Sequence, residues 1–345
     1  MKYCILTLGC KVNSYESEFI KEKFDERGYV ETKLGNDADI VVINTCSVTN
    51  QSDAKSRHMI RSARRTCPSA VLVVCGCSAQ NHREKLLDLD VDILLGNKDK
   101  SKIVDLVEKF LKDKKTSSTF YDLSSTTFED MMLKSESDKT RAFVKIQDGC
   151  DNFCAYCIIP YLRGNIRNKD IDIAEKEIEC LVEMGHREIV LTGIHTGSYG
   201  RGSDYDLVDL IRRISIFPKL ERIRISSIEI TELNDKFMKE LSENEKICDH
   251  LHIPLQSGSD LILKDYYRDT IKKIRNIRPN ISITTDLIVG FPYETDEEFE
   301  KTYEFLQEIQ FTKIHTFPFS LRNGTAAEQM SEHFVAETKK KEIKE

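Results

Sequence analysis

The sequence predicts an α/β protein: an N-terminal parallel-sheet α/β domain followed by an open (βα)6 partial barrel. Three observations predict it. Short apolar strands alternate with helical patterns over residues 1–111 and again over 140–330. Between them, 112–139 holds a Lys-Asp-Lys-Lys run, then Ser and Thr clusters and mixed charge, the composition of a linker or strap. A dense cysteine run directly follows the first strand of the second half, at the end of a barrel where chemistry is kept.

In the first half, Lys2–Leu8 is a short apolar strand. Ser14 and Glu18, leading into Phe19, Ile20 and Phe24, predict a helix that ends at Gly28. Ile40–Ile43 is a second strand, Val71–Val74 a third and Val91–Leu95 a fourth. Asp53–Thr66 is a basic helix stopped before Pro68, and Ser101–Leu111 is amphipathic.

In the second half the strands are Ala142–Ile146, Glu188–Leu191, Arg222–Ile225, His250–Pro254, Ser282–Ile288 and Lys313–Phe317. Helices fill the gaps, among them Ala174–Met184, Leu207–Ile216 and Glu297–Ile309. Residues 331–345 form a charged C-terminal segment.

Composition sets limits. Of 345 residues, 40% are hydrophobic and 32% charged, which is enough for two domains with real cores. No apolar run is long enough to span a bilayer, so a cytoplasmic protein without a membrane partner is expected. Eleven cysteines without a secretory leader point to a reducing compartment and metal or redox chemistry. A net charge of −7 argues against a nucleic-acid binder that is basic overall.

Cys150, Cys154 and Cys157 carry the most information, spaced C-x3-C-x2-C. Three thiolates this close can hold three irons of a [4Fe–4S] cube and leave the fourth open for a ligand. Zinc is the competing reading, but structural zinc wants four closed ligands, usually two C-x2-C knuckles. Only one knuckle is present here.

Cys10, Cys46 and Cys77 share another pattern. Each stands at or just after the C-terminal end of a predicted strand, beside Gly or a short polar residue. In a parallel sheet those loops converge on one edge, so the three predict a second metal site. The alternative for each is a small buried core residue. Cys75 falls nearer the strand interior and reads as structural.

The cysteine loop, with Tyr156 before its last cysteine, resembles that of the radical S-adenosylmethionine (SAM) enzymes. Leu8–Glu18, Asn44–Cys46 and Gly76–Cys77 resemble the N-terminal domain of the radical-SAM methylthiotransferases. Tyr161–Asn165, Leu191–Gly200, Ser226–Glu229, Leu255–Ser259 and Thr285–Thr295 resemble their catalytic domain. The match runs in order along nearly the whole chain.

The resemblance implies two [4Fe–4S] clusters. Cys150, Cys154 and Cys157 would hold the one whose open iron chelates the methionine end of SAM, and one electron would then yield a 5′-deoxyadenosyl radical. Cys10, Cys46 and Cys77 would hold the cluster that carries the sulfur. One SAM would methylate that sulfur, and a second would supply the radical that removes a C2 hydrogen from a modified adenine. The implied partners are tRNA, met at position 37 of the anticodon loop, and a one-electron reductant such as flavodoxin or ferredoxin.

Lys11-Val-Asn13 and the following Ser-Tyr-Glu-Ser-Glu18 look most like the branch acting on N6-threonylcarbamoyladenosine. The other branches act on isopentenyladenosine or on a ribosomal-protein aspartate. A two-cluster electron carrier is the rival outside the family, and the open iron argues against it. Two departures stand out. The family's terminal β-barrel module, TRAM, has no counterpart before the chain stops in Lys339–Glu345, and Asp265-Tyr-Tyr-Arg268 follows Lys264 where the family has a Met-x-Arg-x-Tyr stretch.

The remaining candidates are SAM contacts and RNA contacts. Tyr156, Arg163, Glu229 and Gln256 are side-chain candidates for SAM. Gly193 and Gly197 would let backbone approach it closely. Strand-end hydrogen bonds are the alternative for Glu229 and Gln256, and a rim hydrogen bond is the expectation for His195. Arg57, Arg61, Arg64 and Arg65 recur at near-helical spacing and could face a phosphate backbone, with a solvated helix face as the alternative.

Overall fold

The computed structural model describes residues 1–134, 141–258 and 261–344. The end of the expected linker, 135–139, together with residue 140, residue 259 of one motif and Glu345, lies outside the described residues.

The N-terminal half is a six-stranded, all-parallel sheet. Its strands are β1 (Lys2–Thr7), β2 (Val30–Glu31), β3 (Ile40–Thr45), β4 (Val71–Gly76), β5 (Ile93–Leu95) and β6 (Ser117–Thr119), in the order β2-β1-β3-β4-β5-β6. Helices α1 (Lys11–Glu26), α2 (Asn50–Thr66), α3 (Cys77–Leu87) and α4 (Ile103–Asp113) cover both faces. The period-2 alternation of the strands decides which face each residue serves. Ile40, Val42, Val71 and Val73 pack under α1 and α4. Val41, Ile43, Leu72 and Val74 pack under α2 and α3.

Strand β6 lies in the stretch expected to be a connector. Its Ser-Ser-Thr sequence has no apolar signal, but it pairs in parallel with β5 from Ile93↔Ser117 to Leu95↔Thr119. The sheet therefore extends past residue 111. Farther along the strap, Met131 and Leu133 are buried in the core of the other half.

That half is a six-strand parallel arc. Strands β7 (Ala142–Lys145), β10 (Glu188–Thr192) and β11 (Arg222–Ile225) form one sheet, and β12 (His250–His252), β13 (Ser282–Val289) and β14 (Lys313–Pro318) another. A parallel bridge from Ile223 to Ile247 and the hydrogen bond from Ile228 N to His252 O join the two. A short antiparallel pair, β8 (Gln147–Asp148) with β9 (Arg167–Asn168), closes the base of the cysteine loop. The helices are α5 (Ile159–Arg163), α6 (Ile171–Glu183), α7 (Leu207–Ser215), α8 (Asp235–Glu243), α9 (Leu261–Ile277), α10 (Asp296–Ile309) and α11 (Glu337–Lys344). Lys264–Arg268 lies within α9 without a break. The two halves are both open α/β arrangements with their loops at one edge, as the alternation of patterns predicts.

Candidate active site

Strands β1, β3 and β4 are neighbours, and the chain order reverses between β1 and β3, which makes a crevice at the ends of these strands. Cys10, Cys46 and Cys77 follow those three strands. Cys10 is the N-cap of α1 and Cys77 opens α3, so two of the thiols stand at helix N-termini, where a thiolate is favoured.

Polar cross-links hold the three loops together. Asn13 Nδ2 donates to Leu8 O at 2.7 Å and to Thr45 O at 3.0 Å, tying the Cys10 loop to the Cys46 loop. Thr45 Oγ1 donates to Cys75 O at 2.6 Å and accepts from Ala79 N at 3.2 Å, tying the Cys46 loop to the Cys77 turn. Gly76 has φ +98°, and a Cβ there would come within 2.6 Å of Asn44 Oδ1 and Thr45 O. Asn13 and Thr45 fall within the motifs read from sequence, but the bonds from Asn13 to Thr45 and from Thr45 to Cys75 cross about thirty residues and show only in the fold.

Cys10 is open to solvent, yet protein surrounds it on the remaining sides. That burial raises its thiol, while the Arg163 guanidinium opposes the rise. Burial pushes Cys46 up to about 11, with the Cys77 and Cys10 thiols adding to it. Cys75 is buried among the residues under α1 and α4, as its place in the strand implies.

The second triad lies on the loop between β8 and α5. Gly149, at φ +77°, begins it, and a Cβ there would collide with Asn165 O. Cys150 N donates to Gly164 O at 3.0 Å and Cys157 N to Cys154 O at 2.9 Å. Ala327 N, from the far end of the barrel, donates to Ala155 O at 2.9 Å. All three thiols are partly exposed. Burial pushes Cys157 up to about 11 and raises Cys154. Tyr156, mostly covered, is raised by burial and by its cysteine neighbours. Phe153 and Tyr161 pack edge-to-face at 5.4 Å and are both exposed on the loop.

His195 Nε2 is 2.7 Å from Glu232 Oε1 and 3.7 Å from Glu229 Oε1. Burial opposes its charge, but Cys150 and the two carboxylates outweigh that and push it up to about 10. Glu229 also accepts from Asn152 Nδ2 at 3.0 Å, so it touches the cysteine loop. Gln256 takes φ +63° and exchanges backbone bonds with Asp286 and Ile288 at 2.9 Å.

Four expectations from sequence meet a different arrangement. Gly193 does bring backbone close to a neighbour, but that neighbour is Gln147, whose Oε1 would stand 2.8 Å from an added Cβ. Gly197 is likewise filled, by the Glu232 carboxylate. Arg163, expected at SAM, is fully buried and bound to the N-terminal domain instead, through Glu16 Oε1 at 3.1 Å and Asn13 Oδ1 at 2.7 Å. On α2, Arg64 is spent on Asp90 O, Ala70 O and Asp92 Oδ2 at 2.6–2.9 Å, which removes it from the RNA candidates. Arg61 and Arg65 are exposed and Arg57 is half-buried.

Residues beside both triads make contacts between the halves. Lys11, next to Cys10, donates to Ser226 O at 3.3 Å. Cys77 packs against Ile158 and Leu162, just beyond Cys157. Beyond Cys46, Asn50 bonds Ser320 and Leu321 across the halves at 3.1 Å.

The donor chemistry tests which metal group fits. Among the described residues, no three His, Cys, Asp or Glu side chains converge as a single ion requires. Structural zinc takes four closed ligands, and each triad offers three cysteines. A cube places each thiolate on its own iron, so its thiols do not converge on one point, and two all-cysteine triads suit it.

Residues 2–96 match the family described as Uncharacterized protein family UPF0004, and 144–306 match the Radical SAM superfamily. The threonylcarbamoyladenosine tRNA methylthiotransferase MtaB of Bacillus subtilis is 40% identical over 98% of this chain and 77% of its own length. Its namesake from Thermotoga maritima is 39% identical, covering 98% and 79%. The chain belongs to the radical-SAM tRNA methylthiotransferases. As a methylthiotransferase it is a transferase that uses SAM and [4Fe–4S] clusters, two being typical of such enzymes. A tRNA-2-methylthio-N(6)-dimethylallyladenosine synthase of Acetivibrio thermocellus is also related, at 34% identity over 98% of this chain and 74% of its own. Among solved structures, the radical SAM methyltransferase TsrM from Kitasatospora setae shares the fold, with a TM-score of 0.68 and 12% identity over 94% of this chain and 73% of its own. No helix among the described residues is long and apolar enough to cross a membrane.

Proposed function

We propose that this methylthiotransferase adds a methylthio group to C2 of N6-threonylcarbamoyladenosine at position 37 of tRNA, in the cytoplasm, with a flavodoxin- or ferredoxin-type protein as electron donor. In this reading Cys150, Cys154 and Cys157 hold the SAM-binding cluster, and Cys10, Cys46 and Cys77 hold the other. The observation that carries it is the contact between the two triads' surroundings, with Cys77 packed on the residues that follow Cys157 and Lys11, next to Cys10, bonded to Ser226 O. One reaction on one carbon needs the sulfur and the radical delivered to the same place.

When bound, the clusters and SAM supply the electron, the radical, the sulfur and the methyl group. The chain's residues position them. Gly149 and the Cys150–Gly164 bond shape the loop. Glu229 and His195 line its flank, and Tyr156 and Gln256 stand at the rim as candidate SAM contacts. Gly193 and Gly197 act at one remove, by seating Gln147 and Glu232. Exposed Phe153 and Tyr161 offer stacking faces for an unstacked loop base. Arg57, Arg61 and Arg65 offer phosphate contacts at the N-terminal domain.

The threonylcarbamoyl substrate is favoured over dimethylallyladenosine because relatives of that name reach 36–40% identity, against 34% for the others. Mass spectrometry of tRNA nucleosides from a strain lacking the gene tests it. The methylthio form of threonylcarbamoyladenosine should vanish, its unmodified precursor should accumulate, and the gene should restore it. Loss of methylthio-dimethylallyladenosine instead would reassign the substrate.

A further inference from the structure

Behind the N-terminal triad lies a buried ionic network that joins the two halves. Glu16, on α1, pairs with Lys100, with Lys145 Nζ at 2.9 Å and with Arg163 Nη1 at 3.1 Å. Asp148 pairs with Lys145 at 2.6 Å and Arg163 at 3.0 Å. These five side chains are at most 5% exposed. Arg167 Nη2 adds a fourth cation 3.6 Å from Asp148 Oδ2, so two carboxylates face four cations and the surplus is positive. An uncompensated buried charge is costly, so the network is short of an anion.

The surplus lies beside the cysteines. Asn13 Oδ1, which accepts from Arg163 Nη2 at 2.7 Å, is 3.9 Å from Cys10 Sγ. Arg163 Nε finds no acceptor among the described residues although it is buried. Asn97, 3% exposed, completes the arrangement. Its Oδ1 accepts from Lys100 Nζ at 3.1 Å. An ammonium can only donate, so the amide orientation is settled. The Asn97 Nδ2 must then face Leu162 O at 2.9 Å and Cys77 Sγ at 3.4 Å.

We infer that Arg163 and Asn97 are positioning residues for the cluster on Cys10, Cys46 and Cys77: Arg163 presents the network's surplus charge to it and Asn97 donates a hydrogen bond to its Cys77 sulfur. A [4Fe–4S]²⁺ core with three thiolates carries a net negative charge, which is what the network lacks. Charge and hydrogen bonds to sulfur set cluster potential, and both stabilise the reduced state. Because Arg163 closes the helix that begins just after Cys157, the same side chain fixes the spacing of the two triads.

This rests on the reading that the N-terminal triad holds a cluster, and the test separates the two. In a Cys154→Ala background, reconstituted anaerobically, only that cluster should remain, at about four irons. Asn97→Leu and Arg163→Lys are then added singly, and the midpoint potential is followed by paramagnetic resonance during dithionite titration. Lysine keeps the charge that Glu16 and Asp148 need but, lacking the Nη2 that reaches Asn13, draws it back from Cys10. Asn97→Leu leaves the Lys100–Glu16 pair intact, so it decides the matter if Arg163→Lys does not fold. The potential should move negative, or the N-terminal iron should be lost selectively. In a Cys46→Ala background, where only the SAM-binding cluster remains, the same substitutions should leave the potential in place. An unmoved N-terminal potential with full iron, or equal shifts in both backgrounds, overturns the inference. A Cys154→Ala protein without iron overturns the underlying reading as well.

Discussion

Arg322 Nη2 lies 2.6 Å from Asp53 Oδ2, and both side chains are 4% exposed. They come from different halves: Asp53 from the first turn of α2, Arg322 from the segment after β14. Ser47, one residue beyond Cys46, accepts from the same guanidinium at 3.0 Å. Docking of the halves and placement of the Cys46 loop are therefore one structural event.

Removing Arg322 should undock the halves. Arg322→Ala leaves Asp53 buried without its cation, which costs about 3–5 kcal/mol. Denaturant unfolding should shift to lower midpoint, and methylthio product should fall far more than SAM cleavage. A variant that melts like the parent and keeps full product would show that the contact is dispensable.

The same carboxyl sets an acid limit. Burial raises it, but hydrogen bonds from His82, Ser47 and Arg322 prevail and hold it at about 2, against 3.8 unperturbed. A folded value below the unfolded one means that its stabilisation is complete above pH 3.8 and is lost as pH falls through about 2. The amount is about 2 kcal/mol. Measured on the metal-free protein, the stability gap between parent and Asp53→Asn should narrow across that window. A constant gap would mean that Asp53 does not titrate there.

The triads should divide the labour. Cys154→Ala should abolish 5′-deoxyadenosine formation. Cys46→Ala should keep some of it and make no methylthio product. Both are counted in one anaerobic turnover with dithionite, and methylthiolated product from Cys46→Ala would end the two-cluster scheme.

For RNA, Arg61→Glu with Arg65→Glu should weaken tRNA binding several-fold and flatten its salt dependence, since each phosphate contact adds about one to the slope. Arg64→Ala should cost stability instead, because Arg64 ties α2 to Asp90 and Asp92. Unchanged affinity in the double variant moves the RNA surface elsewhere.

Gly149→Ala should remove the iron of the Cys150 loop and spare the rest, since an added Cβ meets Asn165 O at a φ that side chains avoid. Iron should fall by about half in reconstituted protein. Retention of all of it would show that the loop relaxes.

The sequence by itself determined the two α/β halves and the two cysteine triads. Alternating patterns are local, and a parallel sheet puts every strand-end loop on one edge, so Cys10, Cys46 and Cys77 could be placed without knowing a single contact. Helix α2 was legible too, and Thr49 caps it through Ser52 N. Strand β6 was not, because Ser117–Thr119 forms an edge by backbone pairing alone. Only the tertiary structure decided the fates of Arg163, Arg64, Gly193 and Gly197. Arg163 belongs to Glu16, 147 residues away, and Gly197 makes room for Glu232. A charged side chain or a glycine at a strand end looks alike in sequence whether it meets a cofactor or another part of the chain, since that depends on what long-range packing brings opposite it.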